Sequence, residues 1–367
     1  MPLVLVKPGT KINFAGKRYI AYVLSLLMLL AGLFACFFGN GFRLGIDFAG
    51  GVIVQLKFEE PVEDEALKNS VNLPTFPGVS TQRFGEGGRD YLLRFSKSSD
   101  GDASSLRSAV VTSLKAAFPN NPVSIERMEV VGPKVGSDLA NKALSALYYA
   151  ILLIAVYISG RFEQRWMAAA TMAAVLWGCM YGLSTFLSLS IGWLVLLALI
   201  VTLVVCFVLH LNFALGAIIA LIHDVLITTG FLAIVGMDVD LNVIAALLTI
   251  IGYSLNDTII IYDRLRENLR TRLDLDFLAL INLSVNQTLS RTILTSGTTI
   301  AAAFALFILG GGVIHSFALT MLVGVLIGTY SSIYISPSIL LALGSTEDFR
   351  ASQKREEYEK PGEHGIV

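Results

Sequence analysis

The sequence predicts an α-helical polytopic membrane protein carrying one small α+β domain outside the membrane. Three observations lead there. Hydrophobic residues make up 54% of the chain and charged residues 15%, with a mean hydropathy of +0.69, whereas a soluble domain carries about 25% charged residues. The apolar residues fall in runs long enough to cross a bilayer, which takes about 20 residues per helix. The one long polar stretch, 39–138, instead alternates strand-like and helix-like patterns. The net charge of −1 averages over segregated clusters and points to no partner; no nucleic-acid partner is expected.

Eight runs read as spans: 19–38, 140–159, 167–188, 191–210, 213–235, 241–262, 288–309 and 315–342. Lys11, Lys17 and Arg18 precede the first run, which is too long for the core of a signal peptide and lacks a convincing small-residue cleavage site, so it reads as a retained anchor. Positive charge then fixes sidedness. Lys7, Lys11, Lys17 and Arg18, then Arg161 and Arg165, then Arg264, Arg266, Arg270 and Arg272, then Arg350, Lys354, Arg355 and Lys360 all fall on the N-terminal side when the spans number eight. The positive-inside rule makes that side cytoplasmic. The turns Gly236–Asp240 and Gly310–Ile314 carry no Lys or Arg and fall outside.

The polar segment is then extracytoplasmic. It reads as strand 46–58, helix 62–71, strand 78–84, strand 90–96, helix 103–118 and strand 123–131. This βαββαβ order predicts a ferredoxin-like sandwich. The domain contains no His and no Cys, and Glu59, Glu60, Glu63, Asp64 and Glu65 read as a solvated helix start. A recognition surface fits it better than a catalytic one. Cys36, Cys179 and Cys206 all lie in apolar runs without zinc or CxxC spacing, so they read as packing residues, and no metal or cofactor is expected. Walker, dinucleotide, HExxH and GxSxG motifs are absent, and the chain reads as a non-enzyme.

Chemistry points to ionisable groups inside the spans. Asp257 interrupts LNVIAALLTIIGYSLNDTIIIY (241–262), about six residues from the charged end at Asp263 and so roughly 9 Å deep. Burying a charge there costs roughly 2.5–3.5 kcal/mol on insertion scales, and such groups tend to pair and to mark ion paths. Arg291 lies at a similar depth in the next span, so two antiparallel neighbours bring it toward Asp257. The functional reading is a proton-responsive pair; the plain one is a static ion pair or an arginine reaching to the interface. His223 and Asp224 sit in mid-span and read either as a second proton station or as interhelical hydrogen-bonding groups. Asp224 shares a helix face with Thr228. His210 and His315 read as interfacial. Gly324 and Gly328 form a small-xxx-small pattern suited to close helix contact, and Gly252 and Ser254 near Asp257 offer a place for the helix to break or to pack closely.

Several longer strings carry a resemblance. GIDFAGG (45–51), VGPKVGSDL (131–139), FALGAIIALIHDVLITTG (213–230), GYSLNDTIIIYDRLREN (252–268), SRTILTSGTT (290–299) and GTYSSIYISPSIL (328–340) closely resemble the SecF side of the SecD/SecF family of protein-export membrane subunits. The resemblance implies an RND-like half-bundle of six helices, with SecD supplying the other half. It implies the SecYEG channel, YajC and unfolded exported polypeptide as partners. It implies use of the proton motive force to draw exported chains across the cytoplasmic (inner) membrane. The family's membrane acid and arginine map onto Asp257 and Arg291, and its His-Asp pair onto His223 and Asp224. One departure stands out: RFEQRW (161–166) is separated from FALGAI by residues 167–212, which read as two added helices. An even number of additions keeps every later helix in its orientation.

The chain is accordingly divided into an N-terminus with the first helix (1–38), the extracytoplasmic domain (39–138), the second helix and its cytoplasmic loop (139–166), the added pair (167–212), four further membrane helices (213–342) and a polar cytoplasmic tail (343–367), its segment from Ser345 expected to be disordered. Two other readings compete: an assembly factor that couples to no ion, and half of a small-molecule exporter, for which the soluble domain is small.

Overall fold

A computed structural model describes residues 9–39, 41–71, 79–84, 87–95, 103–163, 167, 170–178, 191–310, 312–344 and 349. The soluble part is the expected sandwich. Strands β1 (Gly51–Phe58), β2 (Val79–Phe84), β3 (Asp90–Phe95) and β4 (Val123–Val131) form an antiparallel sheet in the order β2-β3-β1-β4. Helices α3 (Asp64–Ser70) and α4 (Ala103–Ala117) connect them as split crossovers. Alternation builds the core: Val52, Val54, Leu56 and Phe58 of β1 and Tyr91, Leu93 and Phe95 of β3 pack with Leu67, Val110 and Leu114 of the helices.

One boundary differs from the sequence reading. The strand expected from residue 46 begins at Gly51, and Ile46–Ala49 forms the one-turn helix α2. The change of direction rests on Gly50 and Gly51, at φ +76° and +136°. A Cβ on Gly51 runs into the Phe95 carbonyl oxygen.

Among the described residues six helices, against the eight runs read from the sequence, are long and apolar enough to cross a membrane: α1 (Arg18–Phe38) with the turn before it, α5 (Pro133–Glu163), α7 (Asn212–Val235), α8 (Leu241–Thr271), α9 (Phe277–Leu309) and α10 (Gly312–Leu343). The expected run 191–210 forms α6 (Ile191–Val208), whose apolar part, Gly192–Val208, is shorter than these. Of the expected span 167–188, residues 167 and 170–178 are helical, and 168–169 and 179–188 lie outside the described residues. Helices α7, α8 and α10 form the centre, with α1, α5 and α9 around them; α6 packs on α5 and α7. Met172 and Cys206, one from each of these stretches, touch at 3.6 Å.

The helices outrun their apolar segments. At 31 residues α8 is about 46 Å long, against a hydrocarbon core of about 30 Å. Charged residues from Asp263 onward end the apolar run but not the helix. The Arg264–Glu267 pair at 2.8 Å supports the extension, and Asn268 donates to Ser284 and Gln287 of α9 at 2.8 and 2.9 Å. Gly252 does not break α8, which is continuous. Of the tail, Phe349 is described: it is buried and stacks on Phe277 at 4.7 Å, contrary to the expected disorder there; residues 345–348 and 350–367 lie outside the described residues.

The two ends of the bundle make different contacts. The turn 236–240 lies against the soluble domain, with Val239 N–H donating to Arg43 and Gly45 N–H to Val239, each at 2.8 Å. At the other end Asn286 holds both backbone groups of Ile12, at 3.0 and 2.8 Å, and Asn282 accepts from Ala15 N–H at 2.9 Å.

Gly51→Ala places a side chain against a backbone carbonyl in a conformation alanine resists, a strain of about 1–3 kcal/mol. The expected outcome is a soluble domain cleaved faster in limited proteolysis, with the membrane helices still inserted.

Candidate functional site

Asp224 is 1% exposed and is the most heavily bonded buried acid. Its Oδ2 accepts from Ser254 of α8 at 2.6 Å and from Ser331 of α10 at 2.8 Å. Its Oδ1 lies 2.9 Å from His223 Nδ1, so the adjacent pair meets despite the 100° step between their positions. His223 Nε2 reaches Ser25 of α1 at 2.9 Å, and the Ser25 hydroxyl lies 3.0 Å from that of Tyr330. One chain of polar groups therefore joins α1, α7, α8 and α10. Thr228 takes no part: its buried hydroxyl has no hydrogen-bond partner among the described residues, although it shares the face of Asp224. Gly328 explains the approach of α10 to Ser254, since a Cβ there sits 3.0 Å from the Ser254 Cβ. Gly324 abuts Ile250 in the same way.

Asp257, also 1% exposed, is held differently. Its Oδ2 accepts from Ser296 of α9 at 3.3 Å, and its Oδ1 has no hydrogen-bond partner among the described residues. Ser296 in turn accepts from Thr329 of α10 at 2.8 Å. Arg291 does not pair with Asp257: among the described residues no ion pair within 4.0 Å joins them, and Arg291 is exposed on α9. That helix has only 17% of its apolar window buried, against 56% for α7 and α10, so Arg291 belongs to a face this chain leaves uncovered. The sequence reading brought the two together by depth alone. Depth sets their level in the membrane, but the rotation of α9 about its axis sets whether they touch.

The two carboxylates flank one wall. Ser254 and Asp257 lie three residues apart on α8, and Thr329 and Ser331 two apart on α10. Among the described residues no cluster of His, Cys, Asp and Glu suits a metal ion.

Sequence reading missed a third polar group, at the soluble domain's foot. Arg94 of β3 pairs with Asp238 of the α7–α8 turn, both largely buried. Asp47 of α2 accepts from Leu241 N–H at 2.9 Å, and Asp240 accepts from Val243 N–H at 2.8 Å, so two carboxylates cap α8. Burial pushes the Arg94 guanidinium below its ordinary value, opposed by the charges of Asp240 and Asp47. Burial pushes the Asp240 carboxyl up, against hydrogen bonds from Val243 and Ser316. The sequence carried no signal for it, because the acids at 47, 238 and 240 face one arginine only in the folded chain.

A half-bundle of six membrane helices with a ferredoxin-like domain after the first and acids buried at mid-helix defines a multi-pass membrane protein of the transport class. A family sequence model described as "Protein export membrane protein SecD/SecF, C-terminal" matches residues 110–191 and 179–346, and one described as "SecD/SecF GG Motif" matches 37–62. The chain belongs to the SecD/SecF family. It is 36% identical to the protein translocase subunit SecF of Calditerrivibrio nitroreducens over 94% of this chain and 97% of that protein. It is 33% identical to SecF of Escherichia coli O157:H7, over 95% of this chain and 93% of that protein. Among solved structures it resembles SecDF of Thermus thermophilus, described as translocon-associated, with a TM-score of 0.67 and 30% identity over 93% of this chain. It spans 39% of that SecDF chain.

Asp224→Leu takes the acceptor from the Ser254 hydroxyl and the partner from His223 Nδ1, each orphan costing about 1–3 kcal/mol, while Ser331 keeps the Gly328 carbonyl. The melting temperature in detergent should fall sharply, and Asp224→Asn should keep most of it. Asp240 adds a pH dependence. Its raised pKa means the folded state holds its proton more tightly than the unfolded chain does. The linked stability is full below the ordinary carboxylate pKa and is lost as pH rises through the raised value. Asp240→Asn keeps a capping side chain, and melting curves taken from acid to neutral pH should lose that slope.

Proposed function

We propose that the chain is a subunit of the Sec translocation accessory complex. With SecD it uses the proton motive force to promote export of unfolded proteins, and it contributes no covalent chemistry. The observation that carries the reading is Asp257: a buried carboxylate with one oxygen left without a hydrogen-bond partner, on a helix beside an exposed Arg291. A carboxylate so weakly held in a membrane interior changes protonation more readily than one with a full set of donors.

In this reading Asp257 takes and releases the proton. Arg291 stabilises its charged state when the second half-bundle closes over α9. Asp224 and His223 hold the shared α8–α10 wall and serve as a second station. A proton moving down about 150 mV supplies roughly 3.5 kcal/mol, enough to bias a two-state element with a gap of a few kcal/mol.

SecD supplies the missing half. The uncovered face of α9 supports this, as does the Thermus SecDF chain, of which this chain spans 39%. SecYEG, YajC and the unfolded polypeptide are the further partners. The membrane is the cytoplasmic (inner) membrane, with both termini cytoplasmic and the sandwich domain periplasmic, following the arginine and lysine clusters.

The test is export of a reporter in cells lacking the native gene. Asp257→Asn should fail to restore export while SecD still co-purifies. Full rescue would replace this reading with that of an assembly factor.

A further inference from the structure

The soluble domain meets the bundle at a non-covalent contact besides its covalent links to α1 and α5. Leu44 and Val239 form a parallel β-bridge, and the Arg43 carbonyl and Gly45 N–H complete it at 2.8 Å each. Asp47 caps the first turn of α8 from the domain side at 2.9 Å. Arg94, on the open face of the sheet, pairs with Asp238 with side chains 22% and 19% exposed. Ser316 of α10 donates to Asp240 at 3.2 Å, so the start of α10 joins the same cluster.

The position of this contact gives it its meaning. It grips the end of α8, a continuous helix of 31 residues with no proline and no break. Asp257 lies on the same helix, about 24 Å from the cap at 1.5 Å per residue. A continuous helix transmits an axial shift or tilt along its length, since bending it sharply needs a proline, a bulge or an inserted group. The sheet is similarly stiff, with Arg94 on the strand between β1 and β2. Movement at one end of α8 therefore reaches the sheet through Asp47 and Arg94.

We infer that Arg94, with Asp238 and Asp47, forms a latch that couples displacement of α8 to the orientation of the extracytoplasmic domain. Arg94 is here a positioning residue: it touches neither proton nor exported chain. The consequence for export rests on the proton reading of Asp257; the mechanical coupling itself does not.

The test uses the chain assembled with SecD in lipid discs, its three cysteines replaced and spin labels placed at Lys115 and Leu309. The wild-type chain should give one narrow distance distribution. Arg94→Ala should broaden it and lose most export in cells, with membrane levels and SecD binding unchanged. The charge exchange Arg94→Asp with Asp238→Arg should narrow the distribution again and restore export, which a merely space-filling role for Arg94 does not predict. If Arg94→Ala leaves the distribution narrow, or if the exchange fails to narrow it, the latch is wrong. If Asp257→Asn exports normally while Arg94→Ala still broadens the distribution, the proton reading fails and the latch stands.

Discussion

Asp224 fixes how the helices of this bundle can be turned. A lipid interior offers no water to polar groups, so each buried hydroxyl and carboxylate must find its partner inside the protein. His223, Ser254 and Ser331, from α7, α8 and α10, converge on this one group, and Ser25 of α1 joins it through His223. Individual interhelical hydrogen bonds in membranes are modest, averaging about 0.6 kcal/mol. Their joint effect is on geometry. Rotating any one helix by a single residue's step takes its donor away from the acid. Close approach at Gly328, and of Gly32 to Gly230, lets the backbones come near enough for these short side chains to reach.

Asp257 shows the opposite arrangement on the other side of the same wall. Where Asp224 has serine donors from two neighbouring helices, Asp257 has one hydroxyl at 3.3 Å and an oxygen with none. The contrast separates a group bonded to several helices from one held by a single hydroxyl. It also accounts for the uneven packing of the bundle: the well-bonded acid lies among its three most buried helices, and the weakly bonded one lies toward α9, the least buried.

Much of this was legible in the sequence because it follows from periodicity. The sheet's order follows from the sequence of strand and helix patterns, and the membrane helices from apolar length. What periodicity could not show was rotation and termination. Hydropathy ended α8 at Tyr262, but the helix continues to Thr271, because salt bridges and an Asn268 clamp support it in water as well as apolar packing does in lipid. Adjacent positions on a helix pointed His223 and Asp224 apart, yet the side chains are long enough to turn toward each other. Asp224 and Thr228 shared a face and still did not join, because serines on neighbouring helices reached the acid. Ser25 left a trace in retrospect, as a lone small hydroxyl within the apolar run of α1. Arg94 and Asp238 left none, since their sequence separation hides a contact that only the docked domain creates.

The stretch between α5 and α7 says something about the cost of a long connection in such a fold. Helices α5 and α7 remain packed against each other although the chain between them makes a long detour. Closing a loop costs entropy that grows only as the logarithm of its length, so making a connection tenfold longer adds about 2 kcal/mol. The detour offsets this by burying Met172, Leu176 and Cys206 against the outside of its neighbours. A bundle held by contacts between its helices, more than by the turns that join them, can therefore keep two neighbours packed across a long connection.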